Sequence, residues 1–465
     1  MQYVPLGANA YSNNEYGLPE VRLENWFPES APDKPNRPFR LIPSPGLDAW
    51  CSGLNGAVRG MFQADGLLSG ELIAAAGLRA YRIDSGGAET EIGTITGTDG
   101  VSFAGSQLDL VMTAGGTAYK VNSGSLASIA LPGGGDVIDV AEFGQRHLFL
   151  EAETGRFWWS DVADCTTIGA ASFGTAASEP DNLLAIEVYN GTVMLFGTQS
   201  TEGWAWTGDA DVPFVQRPGF AVDVGIIARD AKTTIDFGLF LVGSDGLVYR
   251  LDGFQPRRIS TDTIDRLIED VAPAERANIR LSSHKWGGHV FVGLHLPGVG
   301  DYFYDVSTQS WHRRKEIGNA RHLAHDFLAF GGSVYAGDRS AGSIYKLNRA
   351  SYKHNGNAVR RVGVAIVPVE DNRPAPNNVT AEFQSGVGLV SGQGENPQCM
   401  MRYSEDGLSW SDEISRSFGR RGEYKRRAVF NGLTGLEPPA AAIEIAVSDP
   451  VAATHTGLAL NRVNP

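Results

Sequence analysis

The sequence predicts an all-β protein: a β-propeller of about seven four-stranded blades, an extended N-terminal arm and a C-terminal β-sandwich-like domain. A short phrase occurs seven times between residues 57 and 348, with a glycine, an apolar residue and an aromatic residue, and it closes with Asp or Asn in every copy but the sixth, which has Val306. Its aromatic residues lie 38 to 54 residues apart, close to the roughly 40–45 residues of a propeller blade. They are Tyr81, Tyr119, Trp158, Trp206, Tyr249, Phe303 and Tyr345.

Each phrase is predicted to form the third strand of its blade. In the fifth copy, residues 237–243 (FGLFLVG) form an apolar run, as expected of a second strand that is covered on both faces. Asp245 and Gly246 then supply a hairpin turn, because tight hairpins need residues that tolerate positive φ. We expect the aromatic residue to fill the space between blades and the closing Asp or Asn to form a turn. Neither is expected to be catalytic.

One helix is predicted between the fifth and sixth copies, at residues 262–272 (DTIDRLIEDVA). Its apolar residues follow the i, i+3, i+4, i+7 spacing of an amphipathic helix. Thr261 or Asp262 is the expected N-cap, and Pro273 limits the length of the helix.

We assign residues 1–50 to the arm, 51–371 to the propeller and 372–465 to the C-terminal domain. The arm is rich in proline, which predicts that it lies along the edge of a sheet and becomes ordered on assembly. Trp26, Phe27 and Phe39 are its expected apolar contacts, either with its own last blade or with a neighbouring subunit. A linker at 372–378 (NRPAPNN) precedes alternating strands that predict a small β-sandwich.

Composition narrows the possible functions. The net charge of −14 argues against wrapping around nucleic acid, which needs a basic surface. No stretch reaches the roughly 18 apolar residues that span a bilayer, and the N-terminus lacks the pattern of a secretory signal. The three cysteines are too few and too scattered for a disulfide framework or a zinc knuckle. We therefore predict assembly in the cytoplasm and no cofactor.

Three local basic clusters stand out against this acidic background. Two fall on the predicted fourth strands of blades five and six, and the third lies near the C-terminus. A single such cluster usually means a solvated strand face, but three together favour an acidic protein partner. Their residues are Arg257, Arg258, Arg313, Arg314, Arg416, Arg420, Arg421, Lys425, Arg426 and Arg427.

Enzymatic function finds little support in the sequence. Residues 404–410 (SEDGLSW) resemble the Asp-box hairpin of sialidases, but they are one residue short and lie outside the repeats. A sialidase needs an arginine cluster and a Tyr–Glu nucleophile pair, and no spacing in the sequence identifies either. His322 and His325 are three residues apart, but no third metal ligand is evident. We predict no catalytic, cofactor or metal site; the alternative is a carbohydrate-binding or sialidase-like propeller enzyme.

Four stretches, in order along the chain, resemble a known family. They are VRLENWFPE…LIPSPGL in the arm, EPDNLLAIEVYNGTVMLFGTQSTEGWAWTGDAD in the middle blades, ISTDTIDRLIEDVAPAERANIRLSSHKWGGHVFVGLHLP in the next blade, and MRYSEDGLSWSDEI near the C-terminus. They are similar to the tail-hub or nozzle proteins of short-tailed bacteriophages, also called the packaged-DNA stabilisation or tail accessory factor family. The match rests on ordered similarity along most of the chain, and none of its pieces is a catalytic signature.

The resemblance implies a structural protein of the virion tail at the portal vertex. It implies a homohexameric ring below the portal and adaptor that retains packaged double-stranded DNA and later conducts it into the host. It also implies contacts with a tail needle or plug and with tailspike or tail-fibre proteins. A strongly acidic chain suits the lining of such a conduit, because like charges let DNA slide without sequence readout.

Overall fold

The computed structural model describes residues 2–4, 6, 22–31, 39–176, 181–368, 376–404, 409–431 and 440–462. The chain divides into two compact units. One comprises residues 49–299 and 323–346; the other comprises 1–48, 300–322 and 347–465. Nearly all regular structure in the described ranges is β-strand, which confirms the predicted all-β class.

Five antiparallel four-stranded sheets follow one another along the first unit, and we number them blades one to five. Within each, strands pair in chain order, as hairpin-connected blades must. Blade one consists of Val58–Phe62, Leu72–Ala76, Arg79–Ile83 and Glu89–Thr94, and blade two of Ser102–Gly105, Leu110–Ala114, Thr117–Val121 and Leu126–Ile129. Blade three consists of Val137–Phe143, Arg146–Glu151, Arg156–Trp159 and Phe173–Thr175, and blade four of Leu183–Tyr189, Thr192–Gly197, Thr201–Trp206 and Phe214–Val222. Blade five consists of Lys232–Ile235, Gly238–Val242, Val248–Asp252 and Gln255–Arg258.

Two further blades complete the series within larger sheets. Blade six consists of Arg280–Trp286, His289–Leu296, Gly300–Asp305 and Ser310–Arg314. Blade seven consists of Ala324–Phe330, Ser333–Asp338 and Ile344–Asn348, with Gly46–Cys51 as its fourth strand. The first strand of blade seven contacts that of blade one. The blades therefore close into a propeller, and the N-terminal segment supplies the closing strand.

All seven sequence phrases lie on third strands, as predicted. Most of their aromatic side chains are buried, but Tyr119 is half-buried and Trp206 is 50% exposed. Even Trp206 packs between blades, because its ring meets that of Phe143 of blade three edge to face with the centroids 5.6 Å apart. The predicted turn role of the closing residue holds at Asp84, whose Oδ1 accepts hydrogen bonds from the Gly86 and Ala88 N–H groups at 2.8 and 3.0 Å.

The predicted helix is present but ends earlier than expected. It runs over Asp262–Glu269, with Thr261 as its N-cap, and a 3₁₀ helix follows at Pro273–Asn278. Ile264 and Ile268 point inward, as the amphipathic pattern requires. No helix among the residues the structure describes is long and apolar enough to cross a membrane.

The second unit contains the β-sandwich. One sheet runs in the order Trp26–Ser30, Phe39–Pro43, His455–Arg462, Pro376–Phe383 and Ala428–Asn431, and Gln2–Val4 also pairs with His455–Arg462. The other includes Leu23–Glu24, Arg361–Pro368, Ala440–Val447, Gln398–Ser404 and Ile414–Ser417. Apolar residues from both sheets, such as Trp26, Val379 and Ile443, form one core cluster.

The arm differs from its sequence prediction. Trp26–Ser30 does lie at the edge of its sheet, but Leu23–Glu24 is an interior strand that pairs with Arg313 on one side and with residues 362 and 363 on the other. The described part of the arm thus already belongs to the β-structure of its own chain. The limits 1–50, 51–371 and 372–465 stay predictions; most of the predicted linker and residues 405–408 of the Asp-box-like stretch lie outside the described residues.

Candidate functional site

The C-terminal basic cluster lies on one exposed segment, which we call the basic loop (residues 416–427). It begins on the strand Ile414–Ser417 and turns at Gly419 and Gly422, whose φ angles of 119° and 87° favour glycine. Its predicted interface residues are all exposed: Arg416, Arg420, Arg421, Lys425, Arg426 and Arg427.

Opposing charges balance the basic loop only in part. A Glu423 carboxylate oxygen accepts a hydrogen bond from the Arg420 backbone N–H at 2.9 Å. Arg427 Nη1 lies 3.5 Å from Oε1 of Glu382, whose side chain is mostly buried. Tyr424 is 74% exposed between the cations. The loop therefore presents cations and an aromatic ring to solvent, a composition that suits an acidic protein surface.

The basic pair of blade five lies on its outermost strand, as predicted. Both Arg257 and Arg258 are exposed on Gln255–Arg258. Arg258 forms ion pairs with Asp262, at 2.6 Å, and with Asp265 of the following helix. Much of its charge is thus compensated within the chain, which leaves Arg257 as the better candidate for a partner contact.

The basic pair of blade six does not present the exposed cations that the predicted contact with an acidic partner needs. Arg314 is fully buried, with its guanidinium carbon 4.1 Å from the centroid of the Phe303 ring and its Nε donating to His312 Nε2 at 3.2 Å. Burial lowers the pKa of Arg314 to about 9, against the opposing effect of Asp305. Arg313 is half-buried and lies 3.8 Å from Glu24. Leu23–Glu24 pairs with the outer side of Ser310–Arg314, so this strand lies inside its sheet and is not an exposed edge.

The three aromatic residues of the arm divide by burial. Trp26 and Phe27 are buried, and the Trp26 indole N–H donates to the Ala453 carbonyl at 3.0 Å. Phe39 is 41% exposed. Trp26 thus packs within its own chain, in the sandwich core and not on the last blade, whereas Phe39 is the one of these three aromatic residues that a partner can reach.

Sequence reasoning also missed a charged network among the first strands of the blades. Arg229 forms ion pairs with Asp99 and Asp230, and its guanidinium donates to the carbonyls of Gly100 and Ile138 at 2.6 and 3.1 Å. Nearby, Lys232 Nζ lies 3.2 Å from Asp139 and 3.4 Å from Glu187. These groups come from several different blades, so the network links the inner strands of the propeller.

His325 and His322, which lie three residues apart, have different surroundings. His325 Nε2 hydrogen-bonds with the Val58 carbonyl oxygen at 2.7 Å, which is a structural role. His322, in contrast, lies with Glu316 and His354 in a group whose ligand atoms are all within 4.8 Å of one another. Sequence spacing paired His322 with His325, but in the structure His322 lies instead beside Glu316 of the same loop and His354 of a later segment. The absence of a metal site stays a prediction.

Two family models match most of the chain. One, described as "Bacteriophage P22 Gp10, beta-propeller", matches residues 3–352, and the other, "Bacteriophage P22 Gp10, beta-sandwich", matches residues 367–441. The tail hub protein gp10 of Salmonella phage P22 is 21% identical in an alignment of 282 positions that covers 56% of this chain. The match spans about 60% of the length of that curated relative.

Similarity to solved structures is weaker. The β-propeller domain of Myceliophteria thermophila Cps50 (Swd1) has a TM-score of 0.44 at 11% identity, covering 64% of this chain and 98% of that one. The extracellular domain of the putative one-component system BT4673 of B. thetaiotaomicron has a TM-score of 0.45 at 10% identity, covering 80% and 47%. At such scores these structures add nothing to the assignment. With a closed set of blades followed by a β-sandwich, and both domain models matched in order, the chain belongs to the phage P22 Gp10 family.

Proposed function

We propose that this chain is a tail hub protein of a bacteriophage virion and acts as a structural subunit without enzymatic activity. The observation that carries the proposal is the ordered match of both the propeller and the sandwich to the P22 Gp10 family. The relative named as a tail hub protein supports the same role. In this proposal, six copies form a ring below the portal and adaptor, retain packaged DNA, and become its conduit at ejection.

Charge supports the conduit role. A chain with a net charge of −14 repels the phosphate backbone on average, so DNA would slide rather than adhere. The exposed basic loop is the exception, and we assign it to contacts with an acidic surface of the adaptor, the needle or plug, or a tailspike or fibre. Phe39, Arg257 and Arg258 are the other predicted contact residues that the structure leaves exposed, and Arg258 already pairs with Asp262 and Asp265.

A phage that carries a nonsense mutation in the gene for this chain tests the proposal. Its heads are expected to package DNA and then lose it, because nothing closes the exit below the adaptor. The measurement is nuclease-resistant DNA per particle, with complementation by the intact chain as the control. Infectious, DNA-filled particles that lack the chain would contradict a tail-hub role.

Changing Arg420, Arg421 and Arg426 together to serine is expected to leave folding intact but to weaken assembly at physiological salt at least tenfold. The reason is the loss of exposed charges that steer and hold an acidic partner, an effect that salt screens. Arg427 is retained because it lies beside the mostly buried Glu382. Quantitative binding to purified tail components over a salt series is the measurement, and the triple lysine variant is the matched control. Binding equal to that of the unchanged chain would show that the loop is merely solvated.

The sialidase-like alternative is kept for testing. A propeller fold alone does not confer hydrolytic activity, and the only enzyme-like stretch, residues 404–410, lies outside the repeats. The purified chain is expected to show no turnover of sialosides or host surface polysaccharide. Measurable turnover that survives repurification would favour the carbohydrate-acting alternative.

A further inference from the structure

One group of side chains has no place in the proposed tail-hub function. Glu316, His322 and His354 lie in the unit that contains the sandwich, and both histidines are almost fully buried. Glu316 Oε1 is 2.8 Å from His354 Nδ1, and the side chain of Glu316 is 17% exposed. The rings of His322 and His354 meet edge to face, with their centroids 5.2 Å apart. We refer to these three residues as the His–Glu cluster.

Each member of the cluster is held by its own local structure. Glu316 belongs to a tight loop in which its N–H donates to the Arg321 carbonyl at 3.1 Å and its carbonyl accepts from the Asn319 N–H at 3.3 Å. The backbone N–H of His322 donates to Asp301 Oδ2 at 2.5 Å. His354 lies in the short strand Lys353–His354, which pairs with Asn357–Ala358. The donor atoms are thus positioned by two chain segments: the loop that carries Glu316 and His322, and the short strand that carries His354.

We propose that the His–Glu cluster binds a divalent first-row transition metal ion, with Zn²⁺ as the best fit. Two imidazole nitrogens and one carboxylate oxygen form a donor set typical of zinc, with bonds of about 2.0–2.2 Å. Ligand atoms that already lie within 4.8 Å of one another can reach those lengths by small side-chain movements. Three protein ligands leave a fourth position for water or for a group from another protein.

The surroundings of the cluster are charged. Asp301 accepts hydrogen bonds from Arg321 Nε at 3.1 and 3.2 Å, so its charge is engaged and it is not counted as a ligand. Glu316 also lines a cavity of about 190 Å³, whose other charged lining residues are Arg22, Glu24, Lys315, Arg360, Arg402 and Glu444. The proposal therefore rests on the three donor groups themselves and not on this cavity.

A bound ion would cross-link two segments that are remote in sequence. Glu316 and His322 lie in the loop that follows blade six, whereas His354 lies after the last blade strand. The inferred role is therefore structural: the metal would hold the loop of Glu316 and His322 to the strand Lys353–His354 within one unit. This inference does not depend on the proposed tail-hub function.

The test is calorimetric titration of the full chain with Zn²⁺ after treatment with EDTA, together with titration with Co²⁺ followed by visible absorption. We expect one Zn²⁺ per chain, a higher melting temperature with Zn²⁺, and the absorption bands of four-coordinate Co²⁺ that excess Zn²⁺ removes. Mg²⁺, which prefers an octahedral set of oxygen ligands, should give neither effect.

Two conservative variants locate the ion. Glu316→Gln and His354→Gln should each raise the apparent dissociation constant for Zn²⁺ at least tenfold, since even changes beyond the direct ligands cost about 10–100-fold. His455→Gln, which replaces another buried histidine of the same unit, is the matched control and should bind as the unchanged chain does.

Loss of Zn²⁺ affinity in both cluster variants but not in His455→Gln supports the site. Unchanged affinity in the cluster variants would overturn it, because the metal would then bind elsewhere. The Co²⁺ spectrum of the unchanged chain decides the matter even if a variant fails to fold. Absence of both the spectrum and the Zn²⁺-dependent melting shift would also overturn the proposal.

Discussion

Trp26→Ala is expected to lower the free energy of unfolding by about 3–5 kcal/mol, the range for removing a large aromatic side chain from a core. Trp26 is fully buried, and the centroid of its ring lies 6.4 Å from that of Phe383 and 6.3 Å from that of His455. The substitution also removes the hydrogen bond to the Ala453 carbonyl, which is then left without that donor. Urea unfolding followed by circular dichroism should show an earlier transition.

Phe39→Ala is the matched control, because Phe39 lies on the strand that pairs with that of Trp26 but is 41% exposed. We expect a change within roughly 0.5 kcal/mol. The sequence predicted that both residues contact either the last blade of their own chain or a neighbouring subunit. If Trp26→Ala unfolds like the unchanged chain and fails only in assembly, the interface role is right and the core role is wrong.

Lys232→Met is expected to lower the free energy of unfolding by about 3–5 kcal/mol, because it leaves Asp139 as a buried charge without its cation. Asp139 is completely buried, and its carboxylate accepts hydrogen bonds from the Val140 and Ile186 N–H groups at 3.0 and 2.9 Å. The ion pair thus connects blade three, which carries Asp139, with blade four through Ile186 and with blade five through Lys232. Urea unfolding is again the measurement.

The double variant Asp139→Asn/Lys232→Met should recover part of the loss, since both buried charges are then absent. Lys285→Met is the control: its ion pair with Asp236 is exposed, and we expect a change of no more than about 1 kcal/mol. Strictly additive effects in the double-variant cycle would show that the pair is not coupled.

The pH dependence of this pair follows from the sign of the lysine shift. Burial works against the charge of Lys232, but the carboxylates of Asp139 and Glu187 outweigh it and raise the pKa. A lysine with a raised pKa in the folded state contributes stability that is fully present below its ordinary pKa. That contribution is lost only as the pH rises through the raised value. The difference between Lys232→Met and the unchanged chain should therefore be constant from neutral pH to about pH 9.

The repeat was visible in the sequence because each blade is built from contacts between neighbouring hairpin strands. The apolar second strand Gly238–Val242, the turn at Gly246 with φ of 80°, and the third strand Val248–Asp252 lie within one short stretch. Their residues must satisfy local demands of burial and turn geometry, and such demands leave a periodic pattern. The same reasoning placed the helix with its Thr261 cap.

Contacts between remote segments left no such pattern. Gly46–Cys51 completes blade seven, although Ile344–Asn348, its partner in the sheet, lies almost 300 residues later. Arg314 and Arg257 look alike in sequence, but one is buried and the other exposed because only the first has a further strand beside it. His354 likewise lies beside Glu316 and His322 although it belongs to a later segment of the chain.

The sequence by itself determined the all-β class, the blade repeat, the position of each phrase within its blade and the family resemblance. Tertiary structure alone decided which strand closes the propeller, that Trp26 belongs to the sandwich core, and which charged side chains pair. The physical reason is range: a strand or turn is specified by neighbours that are adjacent in the chain. A sheet edge, a buried ion pair or a possible metal site is specified by whichever distant segment packs against it.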